Sequence, residues 1–211
     1  NVAELIRPEL QSRGYYIVMT VPSDGERARQ LIERKFQADF DLDAVEDAAS
    51  TPDLKAIAVV HSETSSGVLN PIREIGEIAK KNNLVYIVDA VSSAGGAEIR
   101  MDEWNIDLLC TGSQKCLGSL AGIAPVGIAD RMWEIFDRRS TIPQSFFFDL
   151  NRWKIMWFKK EQGGLLKFKY RRQPMTMATH LVYALDEAAR LVLEEGMETR
   201  CSRHRIASEA V

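Results

Sequence analysis

The chain has 211 residues, 45% of them hydrophobic, and a formal net charge of −3 with an isoelectric point near 5.7. This length and composition allow a substantial core within one large domain. The slight negative charge gives no electrostatic case for nucleic acid or an anionic membrane as a partner. We expect no membrane segment, because no apolar run approaches the roughly 20 residues that a spanning helix needs.

The cysteines and histidines favour neither a disulfide framework nor a metal site. Cys110, Cys116 and Cys201 form no CxxC pair, and the three histidines are scattered. This pattern is typical of a reducing compartment, so we expect a cytoplasmic protein and leave a peroxisomal or mitochondrial location open. The chain begins without Met and ends inside a helical pattern, so we also expect a fragment of a longer protein.

Short apolar runs alternate with amphipathic ones over the first 140 residues. The apolar runs predict strands at 15–21, 56–62, 84–91, 106–112 and 122–129. The amphipathic runs predict helices at 2–14, 42–50, 70–82 and 129–139, with Asn70 as the N-cap of the third. This alternation indicates an α/β domain with a mostly parallel sheet.

The composition changes after residue 140. Residues 140–174 are aromatic, basic and irregular, and the sequence from 177 predicts two helices broken near Gly196. We expect the stretch 152–172 to form an interface or an active-site rim rather than a nucleic-acid surface, because Trp153 and Trp157 are too apolar for a free surface.

Three polar segments follow predicted strands in succession. They are "HSETSSG" (61–67), "DAVSSAGG" (89–96) and "TGSQKCLG" (111–118). Ligands of open α/β sheets bind beyond the carboxyl ends of the strands. The succession therefore predicts one assembled site.

Asp89 and Lys115 are the candidate chemical groups of that site. Taken alone, Asp89 is more typical of a helix N-cap, and Lys115 of a surface lysine. The alternatives are a carboxylate that awaits a cationic ligand atom and an amine made nucleophilic by partial burial or a nearby cation. Together, 26 positions apart, they match what pyridoxal phosphate requires: a carboxylate that keeps the ring nitrogen protonated and a lysine that forms a Schiff base.

The segments "AVVHSETSSGVLNPI", "YIVDAVSSAGG" and "TGSQKCLG" resemble those of the class V aminotransferases, and most closely the alanine–glyoxylate and serine–pyruvate branch. The resemblance implies fold type I, a mostly parallel sheet sandwiched by helices in three αβα layers. It implies a homodimer with active sites at the interface. It also implies a large cofactor-binding domain at 1–185, lacking its N-terminal part, and linking helices at 186–211 toward a small C-terminal domain that is mostly absent.

The resemblance implies particular roles in binding pyridoxal phosphate. Lys115 forms the Schiff base, and Asp89 pairs with the pyridinium nitrogen. Val91 packs on the ring face, Thr64 hydrogen-bonds the cofactor around its phenolic oxygen, and Gln114 contacts the phosphate.

Two further residues are implied to act across the subunit interface. Thr176 falls where the family's threonine reaches the phosphate of the other subunit's cofactor. Gln173 falls where members of this branch often have a tyrosine, which puts its contact in doubt. The resemblance assigns no residue of this chain as the ring-stacking aromatic or as the arginine that binds the substrate carboxylate.

The implied reaction moves an amino group from a small amino acid, alanine or serine, to a 2-oxo acid, glyoxylate or pyruvate, by a ping-pong mechanism. The 2-aminoethylphosphonate–pyruvate and pyridoxamine–pyruvate aminotransferases remain alternatives. A cysteine desulfurase is less favoured, because Gln114 stands where that family has a histidine. A non-catalytic α/β scaffold is the remaining alternative, and no GxGxxG motif or P-loop supports nucleotide binding.

Overall fold

The computed structural model describes residues 15–18, 41–52, 54–64, 67–141, 143, 145–157 and 174–210. Several sequence predictions lie outside these residues: the helix at 2–14, the end of the first strand at 19–21, most of the stretch 152–172, and Gln173.

A five-stranded sheet forms the centre of the described chain, with its strands side by side in chain order. The strands are β1 (Tyr15–Val18), β2 (Ala56–Val60), β3 (Val85–Asp89), β4 (Leu108–Cys110) and β5 (Val126–Ile128). Neighbours from β1 to β4 pair in parallel, and β5 runs antiparallel to β4. The α/β class and the mostly parallel sheet are confirmed, although the strands are shorter than the apolar runs that predicted them.

Six helices accompany the described sheet. They are α1 (Leu42–Ala49), α2 (Ile72–Lys81), α3 (Asp130–Asp137), α4 (Leu150–Trp157), α5 (Thr179–Glu195) and α6 (Met197–Glu209). The predicted helices at 42–50, 70–82 and 129–139 are confirmed. The predicted break is confirmed too, since Gly196 separates α5 from α6 with a φ of 82°.

Helix α4 was not predicted, because its segment reads as irregular from composition. The buried Asp149 precedes it, and the Oδ1 atom of Asp149 accepts the N–H of Asn151 at 3.2 Å. This is the geometry of an N-cap, which satisfies one of the free N–H groups at a helix start.

The predicted N-cap at Asn70 is wrong. Asn70 is buried, and its Nδ2 atom donates to the carbonyl oxygen of Val60 at 2.6 Å. No side-chain hydrogen bond caps α2, which begins at Ile72. This hydrogen bond to the end of β2 orients the Asn70 side chain, and the Oδ1 atom that would accept a capping N–H has no hydrogen-bond partner among the described residues.

The core lies between the sheet and α1 and α2. Helix α2 packs over β2 and β3 and contacts α1. Its buried stripe consists of Ile72, Ile75, Ile78 and Ala79, at the spacing of one helical face. Tyr86 of β3 is fully buried, and its hydroxyl donates to the carbonyl oxygen of Ile72 at 2.8 Å.

We expect Gly76→Ala to destabilise the protein by about 2 kcal/mol or more, since overpacking outweighs the helix preference for Ala. A Cβ atom at Gly76 collides with the carbonyl oxygen of Trp104 and lies 3.0 Å from its carbonyl carbon. Urea unfolding of the full chain measures the change. Arg73→Ala, at an exposed position of the same helix, is the control and should stay within about 0.5 kcal/mol of the wild type. Equal stabilities of the two variants would contradict the packing.

Candidate active site

The three polar segments begin at one edge of the sheet. In the parallel register, Val60 pairs with Asp89, and Asp89 pairs with Cys110. The segments that start at residues 61, 90 and 111 therefore leave the sheet side by side. Backbone hydrogen bonds continue this register, from the His61 N–H to the Asp89 carbonyl and from the Ala90 N–H to the Cys110 carbonyl, both at 2.8 Å.

Asp89 ends β3 with an exposed side chain. Its Oδ1 atom accepts the N–H of Val91 at 2.9 Å. Turns rather than a helix follow over residues 91–97. The helix N-cap, which Asp89 taken alone would suggest, is therefore wrong. Burial, and then the negative charge of Asp89, raises the pKa of the neighbouring Cys110 thiol.

Lys115 lies in a turn that follows β4, and its side chain is exposed. Ser113 anchors this turn from within. It is fully buried, its Oγ atom donates to the Leu120 carbonyl at 2.5 Å, and its N–H donates to the Ile123 carbonyl at 3.0 Å. The carbonyl of Lys115 accepts the N–H of Gly118 at 2.9 Å. The backbone beneath the lysine is therefore fixed, while the lysine side chain is exposed.

Hydrogen bonds join the first two polar segments. Thr64 Oγ1 and Ser92 Oγ share a hydrogen bond of 2.7 Å. His61 Nδ1 and Ser93 Oγ share a buried one of 2.9 Å. Burial lowers the pKa of His61 to about 4. His61 is therefore neutral at pH 7 and acts as a fixed link between the segments.

A cleft of about 530 Å³ opens over these segments, within the size range of small-molecule sites. Residues of all three segments line it: Ser62, Glu63, Thr64, Gly67, Ser92, Lys115 and Cys116. Helix α6 supplies the remaining wall with Arg200, Arg203 and His204. The cleft thus offers an amine, hydroxyl groups and several cations to a ligand.

The other described site residues predicted from the sequence do not line this cleft. A Cβ atom at Gly112 would lie 3.1 Å from Val91 Cγ1 and 3.2 Å from Gln114 Oε1, so Val91 and Gln114 flank Gly112. Neither they nor Asp89 line the cleft. Thr176 is exposed in the segment before α5, and it also lies off the cleft.

The sequence predictions missed the α6 side chains. Arg200, Arg203 and His204 are spaced i, i+3 and i+4, which places them on one helical face. This spacing was the available signal. Hydrogen bonds from Arg203 and Arg200 lower the pKa of the Glu195 carboxyl to about 2, so Glu195 is ionised between the two guanidinium groups.

Within the described residues, no cluster of histidine, cysteine and acidic side chains could hold a metal ion. No described helix is long and apolar enough to cross a membrane.

An amine in a cleft beyond the carboxyl ends of parallel strands, with a carboxylate ending the neighbouring strand, defines an α/β protein with a small-molecule site. The family model of the class-V aminotransferases matches residues 29–141. The chain belongs to this family, which generally uses pyridoxal phosphate. Its fold is fold type I.

Individual relatives agree with this assignment. The chain is 41% identical over 158 residues to an uncharacterized aminotransferase of Methanocaldococcus jannaschii, covering 75% of this chain and 38% of the relative. It is 31% identical over 184 residues to the alanine–glyoxylate aminotransferase of Rattus norvegicus, covering 87% and 42%. The solved ureidoglycine–glyoxylate aminotransferase of Bacillus subtilis superposes with a TM-score of 0.75 at 32% identity, covering 92% of this chain and 50% of that one. The chain thus spans about two fifths of the length of these curated relatives.

We expect stability to fall at mildly acidic pH because of His61. Its folded pKa of about 4 lies below the unfolded value of about 6.5, so the unfolded state takes up the proton first. Stability is therefore lost as the pH falls from about 6.5 toward 4, by about 1–2 kcal/mol between pH 7 and pH 5.

Urea unfolding of the full chain at the two pH values measures this loss. His61→Gln should flatten the dependence, whereas His180→Gln, at an exposed position, should keep the slope of the wild type. An equal loss in the wild type and in His61→Gln would contradict the assignment.

Proposed function

We propose that the protein is a pyridoxal-phosphate-dependent aminotransferase that moves an amino group from alanine or serine to glyoxylate or pyruvate. The supporting observation is the register of β3 and β4, which pairs Asp89 with Cys110 and starts the Lys115 turn beside the carboxylate. Membership of the class-V family supports the same reaction class.

The residues present suit this cofactor by their chemistry. Lys115 offers the primary amine that bonds an aldehyde carbon, and it faces a cleft with the volume of a small-molecule site. When bound, pyridoxal phosphate supplies an electron sink for the electrons of the substrate Cα–H bond. Asp89 would keep a proton on the ring nitrogen: its carboxylate is exposed, and the Val91 N–H occupies Oδ1 and leaves Oδ2 for a cationic partner.

Other residues position the cofactor in this proposal. Thr64 would hydrogen-bond the region of the phenolic oxygen, and Ser92 holds the Thr64 hydroxyl through their shared hydrogen bond. Val91 would pack on the ring face, and Gln114 would donate to the phosphate. The amine of Lys115 would take the substrate Cα proton as a general base and would deliver it to the cofactor as a general acid.

The proposal includes a homodimer in which each subunit completes the other's site. Thr176 is exposed away from its own cleft, as a residue that serves the partner subunit's cofactor should be. We assign Gln173 to the same interface. We also propose that residues 1–185 belong to the cofactor-binding domain and that 186–211 lead out of it. The α5–α6 junction at Gly196 falls within that second segment.

We expect Lys115→Ala to abolish the absorbance band of the lysine-bound cofactor in the full chain and to lower turnover by about 100-fold or more. The variant loses both the covalent anchor and the proton carrier. Absorbance spectra and turnover with alanine and glyoxylate measure the two effects. Lys55→Ala, an exposed lysine before β2, is the matched control and should behave as the wild type. Turnover that survives in Lys115→Ala would disprove the assignment.

The amino donor is tested on the same preparation with a panel of alanine, serine, ureidoglycine, 2-aminoethylphosphonate and pyridoxamine. The proposal requires alanine or serine to be the fastest donor. A faster reaction with 2-aminoethylphosphonate or pyridoxamine would assign the chain to the alternative aminotransferases.

A further inference from the structure

Arg200 of α6 reaches two of the active-site segments with one guanidinium group. Its Nε atom donates to the Gly95 carbonyl at 2.7 Å, and its Nη2 atom donates to the Cys116 carbonyl at 2.8 Å. Its Nη1 atom donates to Glu195 Oε2 at 2.7 Å. The side chain is 14% exposed, so all these bonds form largely out of water.

The two carbonyls lie close together because the segments approach each other at glycines. A Cβ atom at Gly95 would lie 3.0 Å from the carbonyl oxygen of Cys116, and one at Gly96 would lie 2.7 Å from Cys116 Sγ. Gly95 also has a φ of 88°, which other residues rarely adopt. The two glycines place no side chain of their own between the segments, so a planar group with several donors is suited to hold both carbonyls.

One of the bonded carbonyls belongs to the residue that follows Lys115. The buried Ser113 holds the start of the lysine turn, and Arg200 holds its far side at Cys116. A further link joins Cys116 Sγ, as donor, to the Ser92 carbonyl at 3.3 Å. The backbone on both sides of Lys115 is therefore fixed, and the second fixing point is a side chain 84 residues away.

Arg203 provides an internal comparison. Its Nε and Nη2 atoms donate to the same carboxylate, that of Glu195, at 2.6 and 3.0 Å. Its side chain is 56% exposed. Among the described residues, Arg203 makes no hydrogen bond to either active-site segment. Both arginines thus share the ion pair, but Arg200 alone holds the two carbonyls.

We propose that Arg200 is a positioning residue for Lys115. It holds the Lys115 turn against the segment that follows β3 and thereby links α6 to the site. The catalytic part of this inference rests on the proposed function, because it takes Lys115 as the cofactor lysine. The structural part, a clamp on residues 93–97 and 114–118, stands without it.

The test compares Arg200→Gln and Arg200→Lys in the full chain by two measurements. Hydrogen–deuterium exchange without cofactor reports on the clamp. Arg200→Gln should speed exchange of amides in 93–97 and 114–118 by about tenfold or more, because two carbonyls lose a charged donor. In Arg200→Lys the exchange rate should lie between those of the wild type and Arg200→Gln, since an ammonium group keeps the charge but lacks the planar arrangement of donors. Arg203→Gln should leave exchange in both segments unchanged.

The second measurement uses the cofactor-loaded full chain. Arg200→Gln should lower kcat by about tenfold or more while KM changes less than about threefold, as for a residue that acts on the catalytic group rather than on substrate binding. The circular dichroism of the cofactor band should weaken, and Arg200→Lys should partly restore both readouts. Arg205→Gln, an exposed position on the same helix, is the control and should match the wild type.

Two results would overturn the inference. One is wild-type exchange in both segments of Arg200→Gln. The other is the same acceleration in Arg203→Gln, which would assign the effect to the ion pair with Glu195. If the wild type takes up no cofactor, the proposed function fails, and exchange alone then decides whether Arg200 is a clamp. If Arg200→Gln does not fold, the same comparison is made with Arg200→Lys.

Discussion

In-register parallel pairing of β2, β3 and β4 places Val60, Asp89 and Cys110 side by side at the carboxyl edge of the sheet. A slip of one residue in such a pairing turns every side chain to the other face. The buried side chains of Tyr86 and Val88 in β3 make that slip costly. The apolar core thus fixes the positions at which the three polar segments begin.

The polar segments depend on a second set of contacts, which the sheet alone does not provide. Two serines that follow β3 bind side chains of the segment after β2, through Thr64 and the neutral His61. The segment after β4 is held by Ser113 from inside and by Arg200 from α6. Side-chain hydrogen bonds therefore fix the backbone, while Lys115 remains exposed at the cleft and Asp89 remains exposed at the end of β3.

The sequence was sufficient for features set by local pattern. Continuous apolar runs predicted the strands, and amphipathic periods predicted α1, α2 and α3. The order of the polar segments predicted that they meet, because the carboxyl ends of parallel strands share an edge. Seven residue roles were also predicted from the resemblance to the aminotransferases, and these remain proposals.

Features set by tertiary contact were not predictable in this way. Asn70 has the residue type of an N-cap, but its side chain is oriented by a hydrogen bond from Nδ2 to the carbonyl of Val60, and its Oδ1 atom caps nothing among the described residues. The Asp149 cap of α4 was hidden in an aromatic, basic segment. Arg200 and Cys116 are 84 residues apart in the sequence, and no local pattern predicts a contact over that separation. The helical spacing of Arg200, Arg203 and His204 indicated a shared face without showing what it contacts.

The central claim is that Lys115 carries the cofactor, and covalent trapping tests it most directly. The full chain is loaded with pyridoxal phosphate and treated with borohydride. This reagent reduces the carbon–nitrogen double bond between a lysine and the cofactor to a stable single bond. The chain is then digested and mapped by mass spectrometry. Our account predicts the added cofactor mass on the peptide that contains Lys115. A label on another lysine, or an unlabelled Lys115 peptide under saturating cofactor, would contradict it.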